Sequence, residues 1–221
     1  MGWSEYLLAF TGFFLTHSLP IRPPLRPRLV AHLGAAGFIA AYSALSLGAL
    51  AWVIAAAGRA PYVPLWDWAP WQNYVVLDVM LAVCLLLALA IARPNPFSFG
   101  GMRNDAFDPA RPGLVRYTRH PLLLALALWS GAHLVPNGDL AHVILFAIFA
   151  GFALAGGRIV DRRRQREMGA DWQRLLDAVK VAPPAPWMPL ATLTLRLTMG
   201  VLLYAGLLWL HPMVIGISPI P

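Results

Sequence analysis

The sequence predicts an all-α integral membrane protein: a single domain over residues 1–221 that forms a bundle of about six transmembrane helices, with both termini outside. Of its 221 residues, 59% are hydrophobic and only 12% are charged, whereas about a quarter of the residues in soluble domains carry charge. Six apolar runs approach or exceed the ~20 residues that cross ~30 Å of hydrocarbon. The basic residues are concentrated in alternate loops.

The six apolar runs define the predicted crossings. They are Trp3 to Pro20, Val30 to Ala57, Tyr74 to Ala92, Tyr117 to Val135, Leu140 to Gly157 and Pro189 to Leu210. The fourth is the weakest, because its uninterrupted apolar core, Leu122 to Val135, has only 14 residues. A re-entrant hairpin arm is therefore the alternative for this run.

The distribution of arginine and lysine predicts the orientation. Loops on the cytoplasmic side of a membrane retain basic residues, and three, five and seven of the 17 basic residues follow runs one, three and five. Only Arg59 and Arg196 lie elsewhere. Six crossings with basic cytoplasmic loops explain this pattern. The formal charge of +7 thus indicates basic segments beside the helix ends that meet anionic lipid headgroups, and nucleic-acid binding is not expected.

Two segments are predicted to lie on the inner side, outside the membrane. The loop from Arg93 to Arg119 is long and rich in glycine and proline, and loops of this length often cover or complete a site. The segment from Trp172 to Lys180 has the pattern of a short amphipathic helix on the inner surface.

Three histidines stand out by their membrane position. His17 lies near the end of the first run, while His120 and His133 bracket the fourth. Ionisable groups at membrane depth are costly and usually face a bundle interior, a partner or a ligand. The alternative for His17 is a local hydrogen bond near the interface. His120 and His133 are separated by about 20 Å along a helix and point to different sides.

A set of short motifs carries a family resemblance. They are His17-Ser18 with Arg26 to Leu29, R-Y-T-R-H-P ending at Pro121, Trp129 with Ala132-His133, Asn137 to Asp139, and D-R-R-R from Asp161 to Arg164. In this order the chain resembles the NnrU family of bacterial membrane proteins. The resemblance implies a multi-pass protein of the bacterial inner membrane, with periplasmic termini, linked to denitrification and nitric oxide metabolism. It also implies membrane lipid and a nitric oxide pathway enzyme or lipophilic small molecule as partners, with homo-oligomers possible.

The family is in turn similar to the plant zeta-carotene isomerases, and this implies a cofactor. Those relatives are integral membrane haem b proteins, so the resemblance implies haem b here, with His17 and His133 as iron ligands and isomerisation of a lipophilic polyene as one activity. Depth in the membrane instead pairs His17 with His120, which is the third candidate ligand. Where the relatives have a cysteine before the second ligand, this chain has Ser130.

A second resemblance leaves the type of activity open. The R-H-P motif and the segment with Glu167, Gly169 and Trp172 look like the C-terminal half of isoprenylcysteine-type membrane methyltransferases. This would make Arg119, His120 and Glu167 contacts of S-adenosylmethionine. An accessory scaffold without a cofactor is the third hypothesis, so the sequence does not decide whether the protein is an enzyme.

Overall fold

The fold is helical in each of the six predicted apolar runs. The computed structural model describes residues 2–183 and 188–221. The α-helices in this part of the chain are α1 (Gly2–Ser18), α2 (Leu25–Arg59), α3 (Pro70–Ala90), α4 (Pro121–Leu134), α5 (Leu140–Met168), α6 (Ala170–Val181) and α7 (Leu190–Ile215). Two short 3-10 helices, Asn104–Ala106 and Gly113–Arg116, lie between α3 and α4.

Four of these helices, α2, α3, α5 and α7, are long and apolar enough to cross a membrane. No more than 28% of the most apolar window of any of them is buried, as expected for helices whose surfaces face lipid. Helix α1 has 17 residues and α4 has 14. At 1.5 Å per residue α4 is about 21 Å long, shorter than the ~30 Å hydrocarbon layer. The protein therefore has the helices of a membrane protein, while the count of six crossings and the position of the termini stay predictions.

The chain forms two compact units. The first contains Met1–Asp67 with Gly138–Leu145, and the second contains Trp68–Asn137 with Phe146–Pro221. In the first unit α1 packs against α2, where Gly12 lies so close to Trp52 that a Cβ would be 2.9 Å from the indole ring. The Tyr6 hydroxyl donates a hydrogen bond of 2.6 Å to the carbonyl of Ala141.

Helix α2 is kinked at Gly34, which has φ 72° and ψ 168°. Glycine adopts this left-handed region at little cost because it has no Cβ. A cavity of about 350 Å³ lies at the kink, lined by Arg26, Pro27, Val30, Ala35, Phe38 and Ile39. The kink therefore gives the first unit an apolar concavity with one cationic side chain.

In the second unit α3 packs against both α4 and α7. A Cβ at Gly200 would lie 3.0 Å from Leu85 Cδ2 and 3.2 Å from the carbonyl oxygen of Cys84, so glycine permits the close approach of α7 to α3. Arg196 of α7 donates to the carbonyls of Ala88 and Ile91, at 2.7 and 3.0 Å. This guanidinium satisfies carbonyl groups that the end of α3 leaves without helical partners.

Helix α6 is the predicted amphipathic helix, and protein side chains cover part of its apolar face. Trp172 and Val179 are buried with Phe97 and Val115 of the inner loop. The rings of Trp172 and Phe97 meet edge to face, with centroids 5.0 Å apart. The long inner loop is thus held against α6 by a small apolar core of its own.

Candidate functional site

His17, the first predicted ligand, lies in the last turn of α1 in the first unit. Its Nδ1 is 2.9 Å from the carbonyl oxygen of Phe13, four residues earlier. The imidazole stacks on the Phe13 ring, with centroids 3.9 Å apart and planes 29° from parallel. Tyr42 of α2 donates from its hydroxyl to the His17 carbonyl at 3.2 Å. The ring is therefore oriented by its own helix and by an aromatic neighbour.

An aromatic row leads from His17 to the cavity at the kink. The His17 and Tyr42 rings have centroids 6.1 Å apart, and Tyr42 stacks on Phe38 at 5.9 Å. Phe38 also lines the cavity. The first unit thus places its half-buried histidine at one end of an aromatic row that ends at an apolar cavity.

His133, the second predicted ligand, lies near the end of α4 in the second unit. Its Nδ1 is 2.8 Å from the carbonyl oxygen of Trp129, again four residues earlier. Trp129 and Phe146 flank the imidazole, with centroids 5.5 and 5.3 Å from it. The helix carbonyl and the two aromatic rings fix the orientation of this side chain.

The contacts imply the same hydrogen-bond direction at Nδ1 in both histidines. A carbonyl oxygen only accepts hydrogen bonds, so Nδ1 must carry the proton and donate it. In the neutral ring Nε2 then keeps its lone pair, and for His17 and His133 no described residue forms a hydrogen bond with that atom. A backbone carbonyl that holds Nδ1–H is a common support of metal-binding histidine. Both side chains are therefore able to bind a metal through Nε2.

His120, the third predicted ligand, is in a different situation. It immediately precedes α4, and its Nδ1 lies 3.0 Å from Ser98 Oγ while its Nε2 lies 2.9 Å from Asp161 Oδ1. Arg119 donates to both oxygens of the same carboxylate, at 2.7 and 3.2 Å. Both ring nitrogens of His120 are thus occupied by protein groups, and the side chain offers no free lone pair to iron.

The hydrogen-bond directions around His120 can be assigned from its partners. An ionised carboxylate only accepts, so Nε2–H donates to Asp161 and Nδ1 accepts from the Ser98 hydroxyl. Burial lowers the pKa of His120 below its ordinary value, and the attraction of Asp161 offsets this only in part. A serine, a histidine and a carboxylate in series resemble a nucleophile with its base and orienting acid, but Ser98 is only 1% exposed. A substrate therefore has no access to the hydroxyl, and the arrangement joins the inner loop to α5.

Two polar residues of this network were absent from the sequence-based prediction of the site. Ser98 and Asn95 are both buried, and Asn95 donates from Nδ2 to the Arg119 carbonyl at 2.9 Å. Both lie in the N-P-F-S-F-G-G segment. Its pattern of turn-forming residues indicated an irregular loop, but it carried no information about which helix the loop would contact.

Glu167 and the other three histidines have local partners or lie at the surface. Glu167, the third predicted S-adenosylmethionine contact, pairs with Arg163 and Arg164 at 2.7 and 2.9 Å. His142 lies 2.7 Å from Asp139 at the start of α5. His211 Nδ1 lies 2.7 Å from the Ile217 carbonyl near the C-terminus, and His32 is exposed. Residues 2–183 and 188–221 contain no group of three or more His, Cys, Asp and Glu side chains that could hold a metal ion.

The structure thus brings Arg119 and His120 together around Asp161, while His17 and His133 belong to different units. In a comparison with known families, a family model described as "NnrU protein" matches residues 5–219. No curated protein matches the chain. No solved structure matches it either.

Proposed function

The chain belongs to the NnrU family, and from this premise we propose that it is a haem b protein of the bacterial inner membrane with His17 and His133 as iron ligands. One observation carries the proposal. Of the six histidines, these two lie within apolar helices, are flanked by aromatic rings, donate Nδ1–H to a helix carbonyl and keep Nε2 without a described partner. Their donor chemistry fits haem iron, for which neutral imidazole is a common ligand.

The surrounding side chains support this assignment through orientation and water exclusion. Phe13 stacks on His17, and Trp129 and Phe146 flank His133, so each imidazole turns little about its own bonds. The cavity beside the α2 kink is apolar apart from Arg26, and a flat apolar group with carboxylate substituents would use both features. Haem b, when bound, supplies an iron centre whose redox and gas-binding properties depend on its axial ligands and on the dryness of its surroundings.

Family membership supports a proposal for the physiological role. We propose that the protein acts in denitrification and nitric oxide metabolism, alongside an enzyme of that pathway. Isomerisation of a lipophilic polyene is the second activity, supported by the family's likeness to zeta-carotene isomerases. Nitric oxide titration of the reduced protein separates the two, because a nitric oxide role requires an iron site that the gas reaches.

The methyltransferase hypothesis has less support from the side-chain contacts. Arg119 and His120 both bind Asp161, and Glu167 binds two arginines of its own helix. A cofactor would have to displace these ion pairs before it could use the three side chains. Binding of S-adenosylmethionine to the purified protein, followed by calorimetry, tests the hypothesis directly.

The first experiment is the visible spectrum of the detergent-purified protein, oxidised and reduced, with a pyridine haemochrome assay. We expect a haem b signature near one haem per chain. His17→Gly and His133→Gly should each lose most of it, because each removes the Nε2 that would bind iron. His211→Gly and His142→Gly are matched controls that should retain haem. His142 pairs with Asp139, and His211 lies at the exposed end of α7 beside the Ile217 carbonyl.

Added imidazole separates ligand loss from misfolding. It should restore the Soret band of a glycine variant whose fold is intact, since the free ring fills the space of the missing side chain. Full haem occupancy in both His17→Gly and His133→Gly would refute the ligand assignment. A colourless wild-type protein from cells with ample haem would refute haem binding itself.

A further inference from the structure

A second cavity lies in the inner loop of the second unit, and its lining contains no histidine. Its volume is about 160 Å³, and it extends from Ala90 at the end of α3 to Pro121 at the start of α4. Two arginines, Arg93 and Arg111, contribute to its lining, together with Asp108 as the one acidic residue. The cavity is smaller than the 300–1,000 Å³ of pockets for drug-sized ligands, so it suits one small polar group.

The backbone around this cavity is held in an unusual conformation. Ala92, just before the inner loop, and Arg103, within it, both have positive φ, of 59° and 52°. Residues other than glycine adopt this backbone region at a cost. The Ala92 amide donates to the Gly100 carbonyl at 3.2 Å, and the Met102 amide donates to the Arg93 carbonyl at 3.3 Å. These bonds close the loop and hold Arg93 and Arg103 near each other.

The arginines of this loop form a concentrated positive region. Burial lowers the pKa of the Arg93 guanidinium, and the positive charges of Arg196 and Arg103 lower it further. Arg103 and Arg111 form no ion pair with any residue in the described ranges. The Asp108 carboxylate already accepts a hydrogen bond from the Ala110 amide. Like charges held together in this way repel each other, and an anion between them would relieve that repulsion.

We propose that the cavity between Arg93 and Arg111 binds a phosphate group, and that the headgroup of an anionic phospholipid supplies it. Guanidinium groups match the geometry and charge of phosphate oxygens. The position favours lipid over free phosphate, because α3 is long and apolar enough to cross a membrane and the cavity opens at its end. Basic pockets between the ends of membrane helices commonly hold anionic headgroups.

The test uses the full chain, delipidated in a mild zwitterionic detergent. Native mass spectrometry would measure binding of phosphatidylglycerol, of phosphatidylcholine as the zwitterionic comparison, and of inorganic phosphate as a competitor. We expect phosphatidylglycerol to bind more tightly than phosphatidylcholine. In Arg93→Gln/Arg111→Gln its affinity should fall at least about tenfold, since two charge-assisted hydrogen bonds are lost.

Arg162→Gln/Arg166→Gln is the charge-matched control, because both residues are exposed on α5 in the same unit. If the first double variant does not fold, the exposed Arg111→Gln alone is expected to weaken binding in the same direction. If millimolar inorganic phosphate displaces phosphatidylglycerol, the cavity is a phosphate site, and free phosphate rather than a lipid headgroup is its ligand. Equal losses in the two double variants, or equal affinity for the two lipids, would overturn the proposal. Haem content is not the readout, so the outcome is independent of the proposed function.

Discussion

Replacing Asp161 with asparagine should destabilise the second unit more than any other single loss of a carboxylate. Asp161 accepts hydrogen bonds from Arg119 through both oxygens and from His120 through Oδ1. Its side chain is only 18% exposed, and that of His120 only 13%. An asparagine amide at this position would keep one acceptor for the His120 N–H but would turn an N–H₂ group toward the Arg119 guanidinium.

The expected cost follows from these contacts. Hydrogen bonds to charged groups contribute roughly 1.5–3 kcal/mol each, which sets the scale for the bond that Asp161 Oδ2 accepts from Arg119. Arg119 is 38% exposed, so water replaces part of what it loses and the larger values for buried pairs do not apply. We therefore expect Asp161→Asn to lower the free energy of unfolding by roughly 2–3 kcal/mol.

The assay is reversible unfolding in mixed micelles with an increasing fraction of denaturing detergent. Glu167→Gln is the matched control, because Glu167 is another carboxylate of α5 with two arginine partners but is 40% exposed. Its substitution should cost less than about 1 kcal/mol. Equal destabilisation by the two variants would show that the network around Asp161 adds no more than a surface ion pair.

Three further predictions concern packing and pH. Burial lowers the pKa of His120 in the folded state, so below about pH 6.5 the unfolded chain binds more protons than the folded chain. The free energy of unfolding should therefore decline as the pH falls below about 6.5. The decline should be smaller in His120→Gln, measured by the same unfolding assay across pH. Gly200→Leu should weaken α3–α7 packing by at least about 1–3 kcal/mol, whereas Gly206→Leu should be near neutral because nothing lies within 4 Å of its Cβ position. Trp172→Ala should cost about 3–5 kcal/mol and make α6 sensitive to limited proteolysis, and unchanged cleavage would contradict the packing of this helix against the inner loop.

The arrangement around His17 and His133 was partly predictable from the sequence. Apolar runs with histidine near their ends specify helices, and in a helix a carbonyl four residues earlier lies within reach of the side chain. The bonds to Phe13 and Trp129 are therefore local consequences of chain geometry. The stacking of Tyr42 on Phe38 is local in the same way, because these residues are four apart in α2. The contact of Tyr42 with the His17 ring and carbonyl joins two helices, and no short segment of sequence contains it.

His120 shows where sequence reasoning was insufficient. The R-H-P motif suggested a residue available to iron or to a cofactor, but both ring nitrogens are taken by Ser98, 22 residues earlier, and Asp161, 41 residues later. Hydropathy and motif spacing describe neighbours along the chain, and they assign no partner across such separations. The ligand role of His120 stays a prediction, and it would require iron to replace Ser98 at Nδ1 or Asp161 at Nε2.

The sequence by itself determined the class of this protein: its apolar runs, its low charge and its family motifs are properties of composition and order, because the cost of placing polar groups in lipid acts on each segment separately. Tertiary structure decided which polar groups meet. It placed Asp161 between Arg119 and His120, covered part of the apolar face of α6 with Phe97, and gathered arginines of the inner loop around a cavity. Such contacts depend on how the loop folds back on the helices, and that path results from packing throughout the unit.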